Sequence, residues 1–227
     1  MQDALEQRLH EVAEAVKPRL RGVLHEAAFA VSLVTGTALV ILAEGSRATT
    51  AASVYAVSVA LLFATSAAYH RGSWSPRARN IMERLDHSMI FVLIAGTYTP
   101  FSLLLLQGAT RWTVFGLVWG GAVLGILARN LLPQRSRWVF TGLYLALGWV
   151  AIGVMPALLR EGGLIVLGPL LLGGLFYSLG AVVYARQRPD PSPHWFGFHE
   201  VFHAFTLLAF AAHYVAVSVT TYRYPGA

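Results

Sequence analysis

The sequence predicts an all-α membrane protein with seven transmembrane helices, its N-terminus in the cytoplasm and its C-terminus outside. Hydrophobic residues make up 56% of the 227 residues and charged residues only 12%, about half the charged share of an average soluble domain. Several apolar runs are long enough to cross the hydrocarbon core, which takes about 20 helical residues. The seven predicted spans are 26–43, 48–69, 86–106, 112–131, 138–158, 163–184 and 199–221.

These boundaries predict a cytoplasmic N-terminal arm, residues 1–25, and one transmembrane domain, residues 26–222. In the arm, Leu5, Leu9, Val12 and Val16 recur at helical spacing, which predicts an amphipathic helix on the membrane surface. A solvated helix is the alternative. The arm lacks the apolar core of a secretory signal, and the connections between spans leave no room for a soluble domain.

The orientation is predicted from the basic residues, because cytoplasmic loops are enriched in Lys and Arg. If the seven spans alternate, most of the 17 Lys and Arg residues fall on one side. That side carries Arg8, Lys17, Arg19, Arg21, Arg71, Arg77, Arg79, Arg84, Arg129, Arg135, Arg137, Arg186 and Arg188, and the other carries Arg47, Arg111, Arg160 and Arg223. The net charge of +6 therefore reflects topology rather than nucleic-acid binding, with anionic lipid headgroups as partners.

Small residues in the fourth span predict where helices approach each other closely. The pairs Gly116/Gly120 and Gly121/Gly125 recur at helical spacing. Glycine lets two backbones come together without a side chain between them. We therefore expect both pairs to lie at helix contacts.

Ionisable and polar residues gather at the predicted cytoplasmic ends of the spans. Ser66 and His70 end the second span, Asp86 and His87 begin the third, and His25 opens the first. An ionisable residue beside a span is costly and by default indicates a functional site. Each of these residues also has a simpler interpretation. His25 and His87 suit polar anchors at the membrane interface. Asp86 suits an ion pair with a neighbouring arginine, and the Ser66 hydroxyl suits helix packing.

A metal site is predicted at these same ends. His199 and His203 are four residues apart, so their imidazoles share one helix face. With His70 they make three imidazoles, which together with an open position are the ligand set of a catalytic zinc. The chain has no cysteine, which excludes thiolate ligands, although imidazoles also suit iron, nickel and copper. His213 faces the same way ~15 Å deeper, as a residue that lines a cavity.

The string His-Glu-x-x-His has a second interpretation, a metalloprotease with Glu200 as general base. Glu200 projects about 100° away from the two histidines around the helix. We therefore expect Glu200 to be a polar residue at headgroup level or between helices.

Two segments carry a resemblance to a known family: SAAYHRGSWSPRARNIMERLDHSMIFVLIAGTYTPF and HWFGFHEVFHAFTLLAFAAHYVAV. They resemble the bacterial hemolysin III proteins, which are grouped with the adiponectin and progestin receptors and are distantly similar to alkaline ceramidases. The resemblance implies a zinc ion held by His70, His199 and His203, with Asp86 and Ser66 on the water side. The chain departs from the bacterial pattern before His25, where Gly22 to Leu24 replace the usual Asn and Thr.

The expected function is hydrolysis of an amide bond in a ceramide-like or other acyl-amide lipid. Zinc would lower the pKa of water toward ~7, with Asp86 as general base and Ser66 as a donor to the oxyanion. The alternative is a non-enzymatic sensor, receptor or pore-forming cytolysin with a structural zinc. The expected location is the bacterial cytoplasmic membrane, and a homo-oligomer is among the assemblies that the sequence allows.

Overall fold

The structure is a computed structural model that describes residues 17–132 and 136–224. These residues form the α-helices α1 Val23–Ile41, α2 Ser46–Arg71, α3 Pro76–Pro100, α4 Gly108–Leu131, α5 Arg137–Gly148, α6 Met155–Arg186 and α7 Phe198–Arg223. A π-helical turn, Phe101–Leu105, extends α3, and a 3-10 helix, Trp149–Val154, joins α5 to α6. The predicted all-helical membrane class is confirmed. The predicted amphipathic helix falls on residues 1–16, outside the described residues.

Local capping sets where the helices around the site begin. The Ser75 hydroxyl accepts a hydrogen bond from the Ala78 amide at 3.4 Å, and Pro76 takes the first helical position, where its missing N–H costs nothing. Helix α3 therefore starts ten residues before the predicted boundary at 86, and Asp86 lies inside it. Helix α7 begins one residue before its predicted boundary, because the Glu200 carboxylate accepts from the Gly197 amide at 2.8 Å.

Six of the described helical segments are long and apolar enough to cross a membrane. One of them, Arg137–Arg186, is 50 residues long and contains both predicted spans 138–158 and 163–184. The chain reverses direction within this segment. A hydrogen bond shows the reversal, because the Trp149 indole donates to the Ser178 hydroxyl at 2.9 Å. In a straight helix these two residues would be about 43 Å apart. The reversal lies at Gly163, whose φ of 66° is not helical.

The outer surface of the helices is apolar and the interior holds many of the polar side chains. Val34, Ile41 and Leu164 are each more than 70% exposed, whereas Ser102 and Thr220 are fully buried. A soluble protein would not expose such large apolar side chains all around its surface. Lipid tails satisfy them, which agrees with the membrane class.

Helix α7 is central to the arrangement and brings the predicted site together. It packs against α1, α2, α3 and α6. The end of α2 and the beginning of α7 therefore meet beside α1 and α3. This contact places residues from the first, second, third and last spans at one end of the bundle.

The predicted glycine contacts of α4 are half correct. A side chain at Gly121 would meet Leu147 of α5 at 2.6 Å, and one at Gly125 would meet Phe91 of α3 at 2.3 Å. For Gly116 and Gly120 the prediction is wrong, because no described neighbour lies within 4 Å of a Cβ atom placed at either. The two pairs lie on different faces of α4, and among the described residues the face of Gly121 and Gly125 is the one that meets other helices.

Candidate metal centre

Three imidazoles converge where α2 ends and α7 begins. The Nε2 atoms of His70 and His199 are 3.1 Å apart. One ligand nitrogen from each of His70, His199 and His203 lies within 4.8 Å of the others. His70 and His203 are buried and His199 is half-buried. Tetrahedral zinc with nitrogen ligands at about 2.0–2.1 Å places those nitrogens roughly 3.3 Å apart, so the cluster is compact enough to bind one metal ion.

The hydrogen bonding of the cluster also fits a metal. Among the described residues, the buried Nδ1 of His203 has no hydrogen-bond partner. Burying a polar nitrogen in this way costs free energy unless a partner satisfies it. A cation held by the three rings would fix the orientation of His203 and would stand in place of the close contact between the Nε2 atoms of His70 and His199.

Asp86 lies beside this cluster rather than within it. Its Oδ2 atom is 3.8 Å from the Nε2 atom of His70 and 4.0 Å from the Nδ1 atom of His87. These distances are too long for direct hydrogen bonds but leave a carboxylate facing the space next to a ligand. The position suits a group that takes a proton from water, and the catalytic role of Asp86 stays a prediction.

His25 and Ser66 make a second layer against the cluster. The His25 ring stacks on the His203 ring, with centroids 3.6 Å apart and planes 11° from parallel. Its Nδ1 atom is 2.8 Å from the Ser66 hydroxyl oxygen. Ser66 also interacts with Asp86. Although the residues before His25 depart from the family pattern, this histidine contacts a predicted ligand directly.

The departure before His25 has a steric consequence. Gly22 has φ 82°, and a Cβ atom there would lie 2.7 Å from the Cβ atom of His70. Glycine at this position lets the chain enter α1 while touching the end of α2.

His87, Glu200 and His213 are held away from the three imidazoles by other partners. The ring nitrogens of His87 lie 2.7 Å from the Glu83 carbonyl oxygen and 3.1 Å from the Tyr184 hydroxyl. The Nε2 atom of His213 donates to the Leu170 carbonyl at 3.0 Å, deeper in the bundle.

Glu200 is fully buried, and its carboxylate pairs with Arg21. It also accepts a hydrogen bond from the Gly197 amide. One oxygen therefore caps the start of α7, and the other joins α7 to the segment before α1. In the sequence, Arg21 contributes only to the predicted orientation in the membrane. No local pattern predicts its pairing with Glu200, which lies 179 positions away.

Two spaces meet at the cluster. A cavity of about 150 Å³ is lined by Ser66, Asp86 and His203 and extends into the bundle as far as Leu106, Val114 and Leu158. On the other side, a polar vestibule of about 620 Å³ is lined by His70 and basic residues. His87, Tyr144, Tyr184 and His199 line both spaces. A molecule with a polar head and an apolar tail can therefore present its middle to the imidazoles.

Fold and site together define a multi-pass helical membrane protein with a buried three-histidine group able to bind a metal ion. The family model described as Haemolysin-III related matches residues 13–214. The chain belongs to this family, which confirms the resemblance stated from the sequence.

Relatives of the chain occur in bacteria and mammals. The chain is 33% identical to "Hemolysin-3" of Bacillus cereus over 162 residues, 71% of each protein. It is also 33% identical to the "Hemolysin-3 homolog" of Bacillus subtilis (strain 168), over 73% of this chain and 74% of that protein. Identity to the human "Monocyte to macrophage differentiation factor" is 27%, over 76% and 71%. This mammalian relative fits the grouping with the adiponectin and progestin receptors.

Proposed function

We propose that this protein is a metal-dependent hydrolase of an amide bond in a membrane lipid, with zinc as the metal. The observation that carries the proposal is the position of the three imidazoles between the apolar cavity and the polar vestibule. An acyl chain fits the cavity, whose deep lining includes Leu62, Leu93 and Leu158. The amide bond of such a lipid lies at the boundary between tail and head, and so beside His70, His199 and His203.

The roles of the side chains follow from their positions. His70, His199 and His203 would hold the zinc, which would supply a Lewis acid to polarise the carbonyl and to lower the pKa of water to about 7. Asp86 takes the proton of the attacking water and returns it to the leaving amine. Ser66 donates to the developing oxyanion when two conditions hold. His25 carries its proton on Nδ1, and Asp86, once it has taken the proton from water, no longer accepts the Ser66 hydroxyl proton.

Metal content tests the site. We expect about one zinc per chain in detergent-purified protein, measured by mass spectrometry, and loss of the metal in His70→Ala and in His203→Ala. The matched control is His194→Ala, which removes an exposed imidazole and leaves the metal bound. Metal-free wild-type protein would remove the basis of the proposal.

Turnover tests the chemistry. Asp86→Asn is expected to retain the metal and to lower the hydrolysis rate of an acyl-amide lipid by ~10²–10⁴-fold, the usual contribution of a general base. Full activity in this variant rules out the assigned role. If the wild-type protein holds metal and hydrolyses no acyl-amide lipid, the metal is structural and the protein is a sensor or receptor.

Protease and pore functions have less support. A protease needs Glu200 at the metal, yet Glu200 is buried between Arg21 and the Gly197 amide. A pore needs a polar path across the membrane, whereas leucines line the deep part of the cavity. The name of the Bacillus cereus relative describes a hemolysin, so release of a dye from vesicles is the direct test of pore formation.

The proposal includes seven membrane spans with the metal centre near the cytoplasmic face of a bacterial cytoplasmic membrane. The amides of Arg19 and Leu20 donate to the carbonyls of His194 and Trp195 at 3.0 and 3.2 Å. These hydrogen bonds support placing both segments on one side of the membrane, and that placement takes an even number of crossings between them. Since α1 to α4 supply four, the segment Arg137–Arg186 crosses twice, and α7 is the seventh span.

A further inference from the structure

Among the described residues, four side chains line both the cavity and the vestibule, and three of them form one hydrogen-bonded group. The four are His87, Tyr144, Tyr184 and His199. The His87 Nε2 atom lies 3.1 Å from the Tyr184 hydroxyl oxygen, and the Tyr144 hydroxyl donates to the His87 backbone carbonyl at 3.2 Å. His87 of α3 therefore joins a tyrosine of α5 to a tyrosine of α6 where the two spaces meet.

The positions of the protons in this group follow from the hydrogen-bond partners. The His87 Nδ1 atom lies 2.7 Å from the Glu83 carbonyl oxygen, and a carbonyl oxygen only accepts hydrogen bonds. Nδ1 therefore carries the ring proton, and in the neutral ring the Nε2 atom is an acceptor. It follows that the Tyr184 hydroxyl donates its proton to His87.

Both tyrosines consequently present acceptors to a ligand. A tyrosine hydroxyl has one proton to donate and also has lone pairs that accept. His87 Nε2 takes the Tyr184 proton and the His87 carbonyl takes the Tyr144 proton, so the lone pairs of the two oxygens face the ligand. A hydrogen-bond donor on the ligand is stabilised at this position, whereas an oxygen atom without a proton is repelled.

Tyr184 also lies close to the three imidazoles. Its ring makes an edge contact with the His199 ring, with centroids 5.9 Å apart. Ser66 approaches the same imidazoles from α2, through its contact with His25. The cluster therefore has a hydroxyl donor on one helix and a hydroxyl acceptor on another. A trans secondary amide points its carbonyl oxygen and its N–H in opposite directions, and so makes use of both.

We propose that the Tyr184 hydroxyl oxygen accepts a hydrogen bond from the N–H of the substrate, so that the protein selects secondary amides over esters and over N-methylated amides. His87 is the positioning residue, because it takes the Tyr184 proton. The inference rests on the proposed hydrolase function and defines which acyl lipids that site accepts. An ester places an oxygen where the secondary amide has its N–H, and this leaves the tyrosine oxygen unpaired.

The test compares three lipids with the same acyl chain: N-palmitoylethanolamine, its N-methyl derivative, and the monopalmitate ester of ethylene glycol. Binding to metal-loaded wild-type protein in nanodiscs of neutral lipid is measured by rapid competition against a fluorescent acyl-amide lipid, and hydrolysis is measured separately. We expect the secondary amide to bind at least about tenfold more tightly than either analogue, the effect of one hydrogen bond to an otherwise unpaired group. Equal affinity for the three lipids overturns the proposal.

Two variants that each lack one hydroxyl locate this preference for the secondary amide. Tyr184→Phe is expected to lose the preference, because the acceptor oxygen is gone. The matched control, Tyr177→Phe, is expected to keep it. Tyr177 lines the cavity on the same face of α6 as Tyr184, about 10 Å deeper. A Tyr184→Phe protein that keeps the full preference overturns the proposal.

His87→Leu tests the positioning role and provides the test if Tyr184→Phe does not fold. Without the Nε2 acceptor, the Tyr184 hydroxyl is free to donate to an ester oxygen, so we expect the ester to gain affinity relative to the amide. An unchanged preference in His87→Leu overturns the proposal. Because each preference is a ratio of affinities within one variant, a merely structural effect of the substitution does not move it.

The outcomes separate the Tyr184 contact from the hydrolase function. Hydrolysis of the secondary amide, together with equal binding of the three lipids, overturns the Tyr184 contact and leaves the hydrolase intact. Tighter binding of the secondary amide without hydrolysis of any of the lipids does the reverse, because it supports the Tyr184 contact and removes the hydrolase.

Discussion

At the scale of single residues, the site depends on side chains that touch the predicted ligands without belonging to them. The His25 ring covers one face of His203 and its Nδ1 atom meets the Ser66 hydroxyl. Loss of a group that orients a ligand side chain typically lowers metal affinity by about 10–100-fold. His25 therefore links α1 to the metal centre.

His25→Ala is expected to weaken metal binding by about 10–100-fold, because the His203 ring loses the surface that holds its orientation. Titration with a competing chelator measures the affinity. Ser66→Ala separates the two contacts, since it removes the hydrogen bond and leaves the stacked rings. Unchanged affinity in His25→Ala would show that α7 alone orients His203.

Glu200→Gln is expected to leave metal content unchanged and to lower the thermal stability of the protein. The change removes the charge that neutralises Arg21 and weakens the cap of α7. The cost is about 3 kcal/mol, at the low end of the range for breaking a buried ion pair, because the Arg21 side chain is 19% exposed. Loss of metal with unchanged stability would instead place Glu200 in the metal site.

At the scale of the elements, the contact between the start of α1 and the end of α2 positions His70. Gly22 makes this contact possible, because it has a positive φ and a Cβ atom there would lie 2.7 Å from the Cβ atom of His70. Gly108 also has a positive φ, 54°, yet no described neighbour lies within 4 Å of a Cβ atom placed there. The two glycines therefore separate the effect of backbone strain from that of a close helix contact.

Gly22→Ala is expected to reduce both thermal stability and metal content, because the new methyl group pushes His70 away from its partners. The strained backbone costs about 1–2 kcal/mol and the overpacked contact adds about 1–3 kcal/mol. Gly108→Ala, the control, is expected to show the strain alone and full metal content. Equal effects of the two substitutions would contradict a specific role for the α1–α2 contact.

At the scale of the whole molecule, the crossing of the membrane by Arg137–Arg186 decides the topology. The proposed seven spans include two crossings by this segment, because a single pass would separate the segments around Leu20 and Trp195, which hydrogen bonds join. Proline and glycine accompany the reversal, with Pro156 following the 3-10 helix and Gly163 breaking α6.

The chain has no cysteine, so single cysteines can report the topology with an impermeant thiol reagent. Ser73→Cys and His194→Cys are expected to react only from the cytoplasmic side. Gln107→Cys and Arg160→Cys are expected to react only from the outside. Opposite accessibility of positions 73 and 194 would contradict seven spans. Homo-oligomer formation stays a separate prediction, measured by mass in detergent.

The sequence by itself determined the features that follow from short-range patterns of residue type. The apolar runs predict the membrane class, and the four-residue spacing puts His199 and His203 on one face of α7. Connectivity and the positive-inside rule place the end of α2 and the starts of α3 and α7 at one depth. These inferences need only the helix period and the thickness of the bilayer.

Only the tertiary structure decided which groups touch. The stacking of His25 on His203, the pairing of Arg21 with Glu200, and the open space beside Gly116 and Gly120 depend on which helix faces which. So does the division of the polar end into a basic vestibule and an apolar cavity. A helical pattern gives the direction of each side chain around the axis of its own helix. The residue that the side chain contacts is decided by the packing of several helices at once.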